Sequence, residues 1–215
     1  MASSDLLGLF GRKNSVDLDL DRLNPVLRNY VETCSQFTDA KPGFLLTSLL
    51  PHLSVNIGNR LFMYNNSTRV YPNIWSCIIG PSSVSRKTTS LVYAGYTLKP
   101  HEDALLDTSL QDYEQNTLVL TGTTLSKLMS YLALNSNRLF VHHEISAWLN
   151  EMGKQYNAGY RQVITEIFDG INRTVSNQDR TEKIVNPALS IAAASTEGWL
   201  YKNVIDASDQ MSGFM

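Results

Sequence analysis

Between Ile74 and Leu91 the chain passes from an apolar run, through a turn of small residues, into a helical pattern, and few folds accept that order. Ile74-Trp75-Ser76-Cys77-Ile78-Ile79 is short, apolar and partly β-branched, as a buried strand is. Gly80-Pro81 ends it and Ser82-Ser83-Val84-Ser85 turns the chain. Arg86-Lys87-Thr88-Thr89 then opens a helix through Leu91-Val92-Tyr93-Ala94. The same alternation recurs downstream. Thr117 to Thr121 reads as a strand, Leu125 to Leu134 as a helix capped by Thr124, and Arg138 to Glu144 as the next strand. Helical stretches follow at Ser146 to Met152 and Tyr160 to Phe168, then a small-residue strand from Pro187 to Ala194 and a helix from Trp199 to Val204. Strands alternating with helices predict an α/β fold with a mostly parallel sheet flanked by helices. In such sheets ligands bind beyond the carboxyl ends of the strands.

The remaining segments frame that core. Residues 1–40 read as a flexible, basic-tipped N-terminus and a helical extension, with Asn24 as cap and Pro25 in the first turn of a helix within Asp17 to Phe37. Residues 41–215 read as the core, which is expected to continue past Met215. Its first helix, Phe44 to Ile57, carries Pro51, which predicts a kink or a division. Hairpins are expected at Arg60 to Tyr64 with Thr68 to Tyr71, and at Thr174 to Gln178 with Thr181 to Val185. Lys99 to Asp103 is polar and expected to be exposed. A net charge of −2 gives no global basic signature of nucleic-acid binding. Cys34 and Cys77 are the only cysteines, too few for a disulfide framework or a metal pattern, and Cys77 is expected to be buried. No apolar run is long enough to span a bilayer and no signal-peptide pattern is visible, so a cytoplasmic location is expected.

Three predicted strand ends carry the chemistry. At the first, unpaired backbone N–H groups at a helix start, with the helix dipole, can hold a polyphosphate. Lys87 would reach the β- and γ-phosphates, the Thr88 hydroxyl would ligate Mg²⁺, and N–H groups from Ser83 to Arg86 would surround the β-phosphate. The candidate binding set is Gly80, Ser82, Ser83, Val84, Ser85, Arg86, Lys87, Thr88 and Thr89. The strict Walker A spacing is not met. Arg86 and Pro81 stand where the two glycines belong, and Gly80 lies one residue early. An ordinary strand–turn–helix with a capping Ser or Thr is the plainer alternative. At the second end, Glu144 suits a catalytic base that orients or deprotonates water. His143 precedes it where an acidic Mg²⁺ partner would stand, and imidazole is a poor ligand for so hard an ion. Either Thr88 and water carry the metal, another carboxylate does, or hydrolysis is weak. His142 and His143 also read simply as strand-end residues with satisfied hydrogen bonds. At the third end, Ser195 or Thr196 could touch the γ-phosphate or the lytic water, or cap the helix at Glu197-Gly198. Arg161, Arg173 and Arg180 are candidates for phosphate or subunit contacts, or a solvated face.

Taken in order, these motifs resemble a P-loop ATPase family with an atypical, arginine-bearing phosphate loop. It occurs in the helicase-like halves of primase–helicase and replication proteins of phages, plasmids and integrated elements. The resemblance rests on Gly80 to Thr89, His143-Glu144-Ile145-Ser146, Glu166-Ile167-Phe168-Asp169-Gly170, and Asn186 to Ser190 through Thr196-Glu197-Gly198, within Phe44 to Met215. It implies a RecA- or AAA-like ATPase core using ATP and Mg²⁺, association with single-stranded DNA, and a ring-shaped, hexamer-like homo-oligomer. His143 departs from the Asp common in the family. Gly213-Phe214 resembles the start of a motif running into an arginine-containing segment, so an arginine finger would lie past Met215 or on another chain. Two other readings stand beside ATP hydrolysis: a nucleotide-gated assembly or binding module without efficient turnover, and a small-molecule kinase.

Overall fold

A computed structural model of the chain describes residues 18–154, 158–176 and 181–200. After a 3-10 turn at Leu20–Arg22, helix α1 runs Pro25–Ser35, capped by the Asn24 side chain, which accepts from the Val26 N–H at 3.0 Å. Helix α2, Pro42–Ile57, packs against α1 through Val31, Cys34, Ala40 and Leu45. Residues 18–40 are therefore seated on α2 rather than apart from it.

The expected division at Pro51 does not occur, because α2 runs through it without interruption. Proline has no N–H for the carbonyl four residues back, here Thr47. The Ser76 hydroxyl donates to that carbonyl at 3.1 Å instead, so a neighbouring strand supplies the missing bond. Strands β1, Met63–Asn65, and β2, Thr68–Val70, form the first expected hairpin, with Asn66 left-handed at φ 55°.

Strand β3, Trp75–Ile79, leads into α3, Lys87–Gly95. Two short helices follow, α4, Lys99–Leu105, and α5, Leu110–Asn116, in a region the sequence marks only as polar. Then come β4, Val119–Thr121, α6, Leu125–Leu134, and β5, Asn137–His142. Helices α7, Ile145–Gly153, and α8, Ala158–Phe168, precede the second hairpin, β6, Arg173–Ser176, with β7, Thr181–Ile184. Strand β8, Ala188–Ser195, and the short α9, Glu197–Leu200, follow. The expected helix beyond Leu200 and the hairpin tip at Gln178 to Arg180 lie outside the described residues.

The main sheet is four-stranded and wholly parallel, in the order β3-β8-β5-β4. From β3 the chain crosses to the far edge, returns through β5, and fills the gap with β8. As the central strand, β8 is buried along its whole length and alternates between two cores. Ala192 and Ala194 meet α2 and α3 through Val55, Leu91 and Leu98, together with Leu139 and Val141 of β5. Leu189, Ile191 and Ala193 meet the opposite layer, α6, α7 and α8, with Phe140. Small residues on β8 let α2 approach closely, and a buried relay fixes the contact. Ser54 Oγ donates to Pro72 O at 2.5 Å and lies 2.7 Å from Ser190 Oγ, which accepts from the Ile74 N–H at 3.2 Å.

Cys77 departs from expectation. It is exposed, because β3 is an edge strand and its middle is not covered on the face shared with Trp75. Cys34 is buried. Among the described residues no helix is long and apolar enough to cross a membrane.

Candidate functional site

The loop from Gly80 to Arg86 leaves the carboxyl end of β3 and is tied down at both ends. The Gly80 N–H donates to Ser195 O at 3.3 Å, prolonging the β3–β8 ladder past the strand. A Cβ on Gly80 would come within 3.0 Å of Ser85 Oγ, so the loop closes tightly over a residue without a side chain. Ser83 and Arg86 take left-handed conformations at φ 65° and 52°, which carry the turn without the glycines of the strict motif. Ser85 Oγ donates to Pro81 O at 2.6 Å.

Lys87, the first residue of α3, is 9% exposed. Its ammonium donates to Gly80 O at 2.6 Å, Pro81 O at 2.8 Å and Ser85 Oγ at 3.3 Å. The cation thus sits inside the loop and satisfies its carbonyls. Of the N–H groups expected around a phosphate, that of Val84 donates to Ser82 O at 2.8 Å and so turns into the loop. Ser82, Ser83 and the Val84 side chain are exposed, as is Thr88 on the first turn of α3, while Thr89 is half-buried. Arg86 points elsewhere: Nε pairs with Asp39 Oδ1 at 2.7 Å. That hydrogen bond holds the Asp39 carboxyl below the usual carboxylate range.

Glu144 follows β5 and stands at the N-cap of α7. Its Oε1 accepts from Ser195 Oγ and from Ser146 Oγ, each at 2.5 Å. Both serines are fully buried and the carboxylate is half-buried. Ser146 is a partner that sequence reasoning missed, although its place two residues after Glu144 was the available signal. A continuous line therefore joins the loop to the carboxylate, from Gly80 N–H to Ser195 O, and from Ser195 Oγ to Glu144.

The two histidines separate by strand alternation. His143 is exposed. His142 is half-buried, edge-on to Phe140 at 5.5 Å between ring centroids, and its Nδ1 accepts from the Glu144 N–H at 3.3 Å. Burial, then the neighbouring His143, pushes its pKa down. With Nδ1 accepting, the imidazole is neutral and its proton sits on Nε2.

Thr196 does what its alternative reading expects: its Oγ1 accepts from the Trp199 N–H at 3.3 Å and caps the short α9. Arg173 does not lie at this end of the sheet. Asn73 Nδ2 donates to Phe168 O at 2.9 Å, which fixes the end of α8 at the start of β3. Arg173, five residues on and paired with Glu166, lies toward the amino ends of the strands. Arg161 is half-buried on α8, and Arg180 lies outside the described residues. Among the described residues no group of three or more His, Cys, Asp or Glu is placed to hold a metal.

Beside His142, at the ends of β4 and β5, opens a cavity of about 570 Å³. The turn at residues 122–124 and the start of α6 form one wall, and Trp148, Tyr160 and Trp199 contribute to the others. No model of a known protein family and no curated protein matches this chain.

Proposed function

We propose that this chain is an ATP-binding and ATP-hydrolysing, helicase-like domain of a DNA replication protein from a phage or other mobile element. One observation carries the nucleotide part: Lys87, Ser195 and Glu144 stand together at the carboxyl ends of adjacent parallel strands, linked through Gly80. The replication context rests on the order of motifs in the sequence. In this reading a polyphosphate draws the Lys87 ammonium from the loop carbonyls to its β- and γ-oxygens. Glu144, held by Ser195 and Ser146 through Oε1, presents its other oxygen to a water and takes its proton as the water attacks the γ-phosphorus. Thr88 offers an oxygen donor of the kind Mg²⁺ takes, with water and phosphate completing the shell, whereas the imidazole of His143 does not fit. When bound, the ion would neutralise charge on the phosphates.

The test is to measure ATP binding and phosphate release separately. Lys87→Ala should lose both. Glu144→Gln should keep binding and lose release by about 10²-fold or more, the range of a positioned base. Unchanged turnover in Lys87→Ala would remove the assignment. The alternative, a nucleotide-gated assembly module, is favoured by the two hydroxyls already bound to Glu144 and by the missing acidic neighbour at His143. Stable ATP binding by the unaltered protein with no phosphate release would select it.

A further inference from the structure

The cavity beside His142 has no part in the phosphate chemistry above, and its lining is selective. Its volume is that of a small-molecule site. Three aromatic residues contribute to its walls: Trp148, which is 5% exposed, the half-buried Tyr160, and Trp199, which is 53% exposed at the rim. Trp148 is wedged against Phe140 at 5.1 Å between centroids, so it is a rigid wall.

The polar groups are unevenly satisfied. Among the described residues the Trp148 indole N–H and the Thr123 hydroxyl have no hydrogen-bond partner, and both atoms lie beneath the cavity wall rather than on its surface. Leaving such groups unmade is costly, and native structures do so rarely. His142 adds an Nε2–H, since Nδ1 is engaged by the Glu144 N–H. Thr124 is already committed, accepting from the Lys127 N–H as the cap of α6. No Lys or Arg is among the described residues that line the cavity, and its one charged residue, Glu151, is paired with Lys154. Among those described residues no unpaired cation is placed to hold a phosphate. A flat, uncharged ring with an acceptor atom on one edge suits the cavity, because it can stack on indole and phenol and accept from the His142 Nε2–H.

We infer that this cavity binds a nucleobase, as a ligand separate from any polyphosphate at the Lys87 loop. The cavity and its aromatic walls stand whether or not that loop holds ATP, so the two readings can fail independently.

Calorimetric titration of the full chain with adenosine, guanosine, cytidine and thymidine, and with oligodeoxythymidylate, tests it. Saturable binding of at least one probe is expected. Trp199→Ala, a rim substitution, should weaken it roughly tenfold or more, the usual effect of removing one stacking ring. Tyr160→Ala is the second variant, with a thermal melt confirming that each folds. Lys87→Ala should leave it unchanged. Binding of the oligonucleotide alone assigns the base to a strand, and binding of a nucleoside assigns it to a free metabolite. Absence of saturable binding by every probe overturns the inference. So does binding that Lys87→Ala abolishes while both aromatic variants keep it.

Discussion

His52 shows how one buried side chain sets a pH dependence. It is almost fully buried on α2, and its Nδ1–H donates to Ser48 O at 2.8 Å. Burial pushes its pKa below the ordinary value of 6.5. The unfolded chain takes up a proton near that value, whereas the folded chain resists until a lower pH. In that window the unfolded state binds more protons, so stability falls as pH falls. His142 is shifted in the same direction. The melting temperature should therefore drop from pH 7 towards pH 5, and His52→Asn should reduce the slope. A slope unchanged by that substitution would show that other groups set it. Arg86 shows the limit of residue types alone. The sequence places it beside Lys87, yet its partner is Asp39, 47 positions away. That choice depends on α1 and α2 bringing Asp39 alongside the loop, which no local pattern records.

At the scale of the element, α2 is the instructive case. Proline inside a helix ordinarily costs about 3 kcal/mol or more, partly through the lost hydrogen bond. Here Ser76, on the edge strand, pairs with the orphaned Thr47 carbonyl. Ser76→Ala should destabilise the protein by about 1–2 kcal/mol, the cost of a half-buried acceptor left unmade. In a Pro51→Ala background, which restores a backbone N–H to Thr47, the same substitution should cost less. A double-mutant cycle by urea denaturation measures that coupling. Additive effects would mean that the Ser76 bond does not compensate for the proline. Helix α6 is the opposite case. Its bounds and its Thr124 cap are legible from the sequence, because both signals lie within one turn. Helices α4 and α5 are not legible, since their faces are mostly exposed and give no apolar period. Glu102 of α4 instead accepts from Thr117 Oγ1 and from the Leu118 and Val119 N–H groups, fixing the start of β4.

At the scale of the molecule, Arg138 joins parts that are distant in sequence. It is fully buried at the start of β5 and donates to Glu114 O at 2.6 Å, with longer bonds to Gln115 O and Tyr131 O. Its guanidinium thus meets the carbonyl ends of both α5 and α6, where the helix dipoles favour a cation. Burial lowers its pKa to about 10, which leaves it charged at neutral pH. Arg138→Ala would strand those carbonyls and open a void, at a cost of about 3 kcal/mol or more by thermal or urea unfolding. A loss under 1 kcal/mol would show that water replaces the guanidinium. The parallel α/β class was legible in the sequence, as were the order of the strands, the helices other than α4 and α5, and the strand-end positions of Glu144 and Ser195. Period, caps and turn residues act over a few positions, and the sequence records them directly. The sequence did not determine that β8 lies between β3 and β5, that Ser195 binds Glu144, or that Lys87 turns back onto its own loop. Nor did it show that Trp148, Tyr160 and Trp199 share one cavity. Those outcomes depend on which buried faces match across the sheet, and only tertiary packing decides them.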